Sequence, residues 1–160
     1  MAAHNALGGI PCTANEWLLT EVLRKEWGFK GSVVSDWTGV TQMVNAHHYV
    51  DTQEEAVADA ISAGLDVMCD PRPLHDEVVD AVQSGKLSKA ALDQAVTRNI
   101  VLRMRLGMFD PPEKVPFTQI TSASVGSAEH RELALKSALE SIVLMKNDAA
   151  PKGFGFEQLL

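Results

Sequence analysis

Apolar residues recur in two rhythms along the chain, one spaced at three to four residues and one in short continuous runs, and glycines mark the changes between them. Leu18, Leu19, Val22, Leu23 and Trp27 fall on one face of a helix, preceded by Thr13 and Glu16 at capping-box spacing and closed by Gly28. Residues 32 to 35, between Gly31 and Gly39, are too few for a helix, and their core is the β-branched pair Val33-Val34, which predicts a buried strand. Thr52 and Glu55 repeat the capping-box spacing ahead of a helix with Ala56, Val57, Ala60 and Ile61 on one side, ending at Gly64. The run Leu65-Asp66-Val67-Met68-Cys69 predicts a second buried strand, with Asp70 at its end. Prolines 71 and 73 then break the chain before a helix over about 74 to 84, stopped by Gly85. A longer helix over about 88 to 106 carries Leu92, Ala95, Val96, Ile100 and Met104 and stops at Gly107.

Strands and helices that alternate in steps of this size predict parallel β-α-β units, because parallel strands need a crossover that a helix supplies. The fold class is therefore α/β, and in such folds the loops at the carboxyl ends of strands build the site. Asp36 and Asp70 both fall there. Ahead of the first helix, a short apolar piece meets the turn signal Gly8-Gly9-Ile10-Pro11. Residues 109 to 127 lose all periodicity and read as a linker, in which Asp110-Pro111-Pro112 is turn chemistry. Ser127 then caps a helix over about 128 to 141 with Leu133, Ser137, Ala138 and Ser141 on one face, followed by the strand-like run Ile142-Val143-Leu144-Met145. The tail "APKGFGFEQLL" has no pattern, and no internal repeat is present.

The 160 residues make one ordinary domain's worth of chain, and 46% hydrophobic with 22% charged residues is a globular composition. A net charge of -7 gives no electrostatic reason to bind nucleic acid or an anionic membrane. No stretch is apolar for the ~20 residues of a membrane span, and the opening "MAAHNALGGIPCTAN" carries no export signal. Cys12 and Cys69 stand outside any CxxC or Cys/His ligand spacing and are expected to be plain buried thiols, with no metal site.

The chemistry concentrates in Ser35-Asp36-Trp37. An acid at a strand's carboxyl end is a general base, a nucleophile, a metal ligand or a helix N-cap. Trp37 favours the nucleophile, since an indole beside a carboxylate offers an apolar face for a sugar ring next to the group that would attack it. His47-His48-Tyr49, in the loop that follows, is either a substrate contact or a solvated or packed loop pair. Arg98, Arg103 and Arg105 are expected on the solvated face of the long helix.

The ordered series "GIPCTAN", "LLTEVLRKEWGFKGSVVSDW", "AGLDV", "RLGMFD" and "ALESIVLMKND" resembles glycoside hydrolase family 3, the β-glucosidases, β-xylosidases and their relatives, from residue 1 to about 148. The resemblance implies the C-terminal part of a (β/α)8 TIM-type barrel over residues 1–108, a linker over 109–127, and the start of an α/β sandwich domain, truncated, over 128–160. It further implies a retaining exo-β-glycosidase acting on a small β-linked glycoside or oligosaccharide, with no metal or organic cofactor and Asp36 as nucleophile. By the same resemblance Trp37 lines the sugar subsites, and His4 is a substrate-binding residue standing where many members have a tyrosine; its alternative is a histidine satisfied at a strand end. Gly8 stands where an asparagine is common. Family members are often secreted or periplasmic.

A whole barrel takes roughly 250 residues, whereas about three strands precede the linker. No residue matches the family's acid/base, and Asp70 is left as a substitute from the adjacent strand, as a cap of the helix that follows it, or as part of the barrel rim; Asp66 is structural. Open strand edges make the missing remainder of the enzyme, or a second copy of the chain, the expected protein partner. The rival reading is a non-catalytic fragment or interaction module. A barrel lyase or aldolase would want a Schiff-base lysine or a metal cluster at strand ends, and neither is found.

Overall fold

The computed structural model describes residues 1–145 and 147. The chain divides into two compact units, Met1–Val115 and the residues from Pro116 onward.

The first unit is built around three short parallel strand segments with residues 33–35 in the middle. Ala2 pairs with Ser35 on one side, and Val34 pairs with Val67 on the other, both parallel. The peptide ladder alternates as parallel pairing requires: Ala2 N–H donates to Val34 O at 2.8 Å, Asp36 N–H to Ala2 O at 2.8 Å, Ser35 N–H to Val67 O at 2.9 Å and Val67 N–H to Val33 O at 3.1 Å. The two runs predicted as strands therefore lie side by side and parallel, but as isolated bridges rather than full-length strands. A small antiparallel hairpin, β1 (Ala6–Leu7) and β2 (Ile10–Pro11), sits beyond the first segment. Its two-residue loop is Gly8-Gly9, with φ of 61° and 84°, a left-handed pair that glycine adopts without a Cβ penalty.

The expected helices of this unit are present as Trp17–Glu26, wound as a π-helix, α2 (Gln53–Ala63), α3 (His75–Gln83) and α4 (Lys89–Arg105), and a short helix that the sequence pattern does not predict, α1 (Thr41–Asn45), precedes α2. The capping signal at Thr52 is used as read, its hydroxyl accepting Glu55 N–H at 3.2 Å, and Ser88 caps α4 through Ala91 N–H at 3.1 Å. The one at Thr13 is not. Asn15 holds the entry to the first helix instead, accepting Leu18 N–H at 3.0 Å, while Thr13 is buried and its hydroxyl donates to Gly39 O at 3.4 Å.

Helix α2 forms the middle of the core, with Ala56, Val57, Ala58, Ala60, Ile61 and Ala63 all buried, and it packs against α1, α3, α4 and the π-helix. Its alanines let neighbours approach, and Val40, Met43, Leu65 and Leu87 fill the space around it. Full burial of a side chain such as Leu65 contributes about 1.5–3 kcal/mol.

Several expected faces are not packed. Trp27, the residue that ends the π-helix, is 74% exposed, whereas Leu19 enters the core. On α4 only Ala95 is buried and Leu92 half-buried; Val96, Ile100 and Met104 lie exposed. Arg98 corrects the reading of a solvated face, because it turns inward to an ion pair with Asp66. Between 109 and 127 the chain makes three short 3-10 turns, Pro112–Lys114, Pro116–Gln119 and Ser122–Ser124, and Val115 is buried within the first unit.

In the second unit, α5 (Ala128–Ser141) is capped by Ser127, whose hydroxyl accepts His130 N–H at 3.3 Å. Its face of Leu133, Ser137, Ala138 and Ser141 is exposed, and residues 142–145, expected as a strand, are irregular and exposed. A β-branched run forms a strand only where a neighbour pairs with it, and none does so among the described residues. The patternless tail lies outside the described residues.

Candidate active site

Asp36 is the first residue past the central strand. Its N–H still pairs with Ala2 O, while its carbonyl accepts Gly39 N–H at 2.9 Å, closing the four-residue turn Asp36-Trp37-Thr38-Gly39. The third residue of that turn has φ of 61°, where such turns favour glycine, yet it is the β-branched Thr38. A residue held there costs on the order of 1–3 kcal/mol and persists only when its surroundings fix it. Three contacts do so: Thr38 N–H donates to Cys69 O at 2.8 Å, Thr38 Oγ1 donates to Trp37 O at 2.6 Å, and Thr38 O accepts Gln42 N–H at 2.8 Å. Gly39 is tightly enclosed as well, since a Cβ there would lie 3.1 Å from both Asp36 O and Thr13 Cγ2.

The turn aims two groups outward. Asp36 Oδ1 accepts the N–H of Trp37 at 2.7 Å, and its side chain keeps 35% of its surface open. The indole of Trp37 is 56% exposed beside it. His4 brings Nε2 to 4.0 Å from the same Oδ1, close enough for a charge interaction when protonated but too far for a hydrogen bond. The backbone of His4 is in turn met by His47, whose Nε2 lies 2.7 Å from His4 O. The three residues expected from the sequence, Asp36, Trp37 and His4, are thus neighbours, and His47 joins them through a backbone contact; His48 and Tyr49 are exposed.

The third strand contributes differently. The side chain of Asp66 is fully buried and accepts from Arg24 Nη2 and Arg98 Nε, each at 2.6 Å, and from Val33 N–H at 2.8 Å, which makes it a structural anchor. Asp70 turns away from the helix that follows it. Its Oδ1 accepts from the hydroxyl of Thr41 and from Thr41 N–H at 3.4 Å, so it caps α1, the helix after the neighbouring strand. Its Oδ2 is buried without a partner. Cys12 is buried and Cys69 partly buried. No group of three His, Cys, Asp or Glu side chains is disposed to hold a metal ion among the described residues, and no described helix is long and apolar enough to cross a membrane.

Sequence reasoning missed the Thr38 conformation, the Asp70–Thr41 contact and the two arginines of Asp66. The first has no signal, because a β-branched residue such as threonine is not expected at positive φ. The others join residues 29, 42 and 32 positions apart, beyond any local pattern.

The family model for the glycosyl hydrolase family 3 N terminal domain matches residues 1–103. A probable beta-D-xylosidase 6 of Arabidopsis thaliana is 38% identical over 149 residues, which is 92% of this chain and 19% of that protein. Among solved structures, a β-glucosidase involved in saponin metabolism from intestinal bacteria superposes with a TM-score of 0.75 at 37% identity, covering 92% of this chain and 19% of that one. A β-glucosidase from Listeria innocua in complex with glucose gives a TM-score of 0.75 at 33% identity, with 91% and 19% covered. The chain therefore spans about a fifth of the length of these relatives, and it belongs to glycosyl hydrolase family 3.

Proposed function

We infer that this chain carries the nucleophile of a retaining exo-β-glycosidase of the β-glucosidase or β-xylosidase type. The observation that supports it is Asp36: a carboxylate just past the central parallel strand, partly open to solvent and beside an exposed indole. In the proposed reaction a carboxylate oxygen of Asp36 attacks the anomeric carbon, the bond to the leaving oxygen breaks, and a covalent glycosyl-enzyme forms that water then hydrolyses with net retention. Trp37 supplies the apolar platform for the C–H face of the sugar. His4 lines the same subsite and offers its ring nitrogen to a hydroxyl. The substrate class is a small β-linked glycoside or oligosaccharide, and the step needs neither metal nor organic cofactor.

Residues 1–108 serve in this reading as the C-terminal part of a TIM-type barrel, 109–127 as a linker and 128–160 as the beginning of a second, sandwich domain. A retaining mechanism wants a second carboxyl group ~5–5.5 Å from the first. Asp70 is engaged by Thr41, so the acid/base is assigned to the portion of the family's enzymes that this chain does not span.

Treating the protein with a 2-fluoro glycosyl fluoride and mapping the adduct by mass spectrometry tests the assignment. The reagent carries its own good leaving group, so it reports the nucleophile without the acid/base. An adduct on the peptide containing Asp36, abolished by Asp36→Asn, is expected. No adduct would return the chain to a non-catalytic module, and an adduct on another carboxylate would overturn the assignment of Asp36.

A further inference from the structure

We propose that Asp70 is a positioning residue for this site: it fixes the turn that presents Asp36 and Trp37 by holding Thr41 from the neighbouring strand. Its chemical consequence rests on the glycosidase reading; its geometry does not.

Past Val67 the two strands stop exchanging ladder bonds, yet they stay joined by three further links in register. Cys69 N–H donates to Ser35 Oγ at 2.8 Å, Thr38 N–H donates to Cys69 O at 2.8 Å, and Thr41 donates to Asp70 Oδ1 through both its hydroxyl and its N–H. On the nucleophile's side these links fall at 35, 38 and 41. The residues between the first two, Asp36 and Trp37, make none of them and are the pair that projects. The strained Thr38 sits at the middle link.

A strained turn needs restraint at both ends. Ser35, buried in the sheet, holds the near end. The far end is Thr41, the first residue of α1, and α1 has no cap from its own N-cap residue Val40. Asp70 takes that place from outside the helix. Doing so leaves its Oδ2 buried and unpartnered, a cost that buried polar groups rarely carry without a role to balance it. Releasing Asp70 frees α1's first turn and lets Thr38 relax, which swings the peptide that hydrogen-bonds Asp36 Oδ1.

The experiment compares wild type, Asp70→Ala and Asp70→Asn by amide hydrogen exchange and by the rate of 2-fluoro glycosyl labelling at Asp36. Loss of the hydrogen bonds to Thr41 predicts that Thr38 and Gly39 amides exchange roughly tenfold faster in Asp70→Ala. The Leu65 amide, bonded to Ala60 O at 3.0 Å within the core, should not change. Labelling should slow in parallel, and Asp70→Asn, which keeps an acceptor oxygen, should restore both. Unchanged exchange at Thr38, or acceleration equal to that of Leu65, overturns the proposal. If the exchange pattern appears but wild type takes no label, the positioning role stands and the glycosidase reading falls. Should Asp70→Ala not fold, Thr41→Val removes only the hydroxyl donor, and unchanged exchange there overturns the proposal equally.

Discussion

Replacing Asp66 by asparagine removes one negative charge from between two guanidinium groups while keeping the side chain's shape. The carboxylate is 0% exposed; its partners Arg24 and Arg98 are 13% and 24% exposed, so water replaces little of what is lost. Each pair, with charge centres ~4 Å apart at an effective dielectric of ~20, attracts by about 4 kcal/mol, and the cost of burying the carboxylate opposes this. Breaking such a buried group by removing one member costs about 3–5 kcal/mol. Asparagine still accepts from Val33 N–H, so the lower end, about 3 kcal/mol, is expected. Urea unfolding followed by circular dichroism measures it, and a fall in melting temperature of about 10 °C or more should accompany it. Asp93→Asn, which breaks the exposed Lys89–Asp93 pair, is the control and should cost under about 0.5 kcal/mol. The sharper check reverses the sign. With Arg24→Met and Arg98→Met in place, Asp66 is a buried charge without its cations, and Asp66→Asn should then stabilise. An equal cost in both backgrounds would refute the electrostatic reasoning and leave shape as the cause.

Two other expectations follow from the surface. Hydrogen bonding from Arg72 holds Glu77 below the ordinary glutamate value, and hydrogen bonding from Lys86 does the same for Glu55; burial raises Asp59, with the charge of Glu55 adding to it. A lowered folded-state value means stability that is present above about pH 4.3 and lost as pH falls through the folded value, whereas Asp59 acts oppositely and is relieved on acidification. Denaturant titrations should therefore show stability falling below about pH 4, less steeply in Glu77→Gln, and Asp59→Asn should gain stability at pH 7; a Glu77→Gln profile that matches wild type would contradict this. The exposed Val96, Ile100 and Met104 of α4 and the exposed leucines of α5 predict self-association, seen as a melting temperature that rises with protein concentration. A sharp, concentration-independent transition of a monomer in the ultracentrifuge would count against it.

What the sequence made legible was whatever depends on neighbours in the chain. Thr52, Glu55 and Gly64 bracket α2 because a cap and a C-terminal glycine act within a few residues, and the alanine-rich face between them could only be core. The two strands were readable for the same reason. Packing partners were not: the periodicity of α4 is a true helix signal, but whether Ile100 is covered depends on what lies against it. Arg98 shows the reverse error, since a charge on a helix face reads as solvated until Asp66, 32 positions away, is placed beneath it. At the candidate site, the order of Asp36 and Trp37 just past a β-branched run made their place at a strand end legible, whereas the conformation of Thr38 and the reach of Asp70 to Thr41 arise only once the strands lie side by side.

The hydrogen bond from Trp37's own peptide to Asp36 Oδ1 gives that tryptophan two separable contributions. One belongs to the main chain and is carried by any residue with an amide proton, so exchanging the indole for alanine leaves the carboxylate steered. Proline alone at position 37 would remove the steering. With Oδ1 occupied in this way, the carboxyl plane is set by the main chain, and in the reaction proposed above the oxygen left for bond formation to a sugar would be Oδ2.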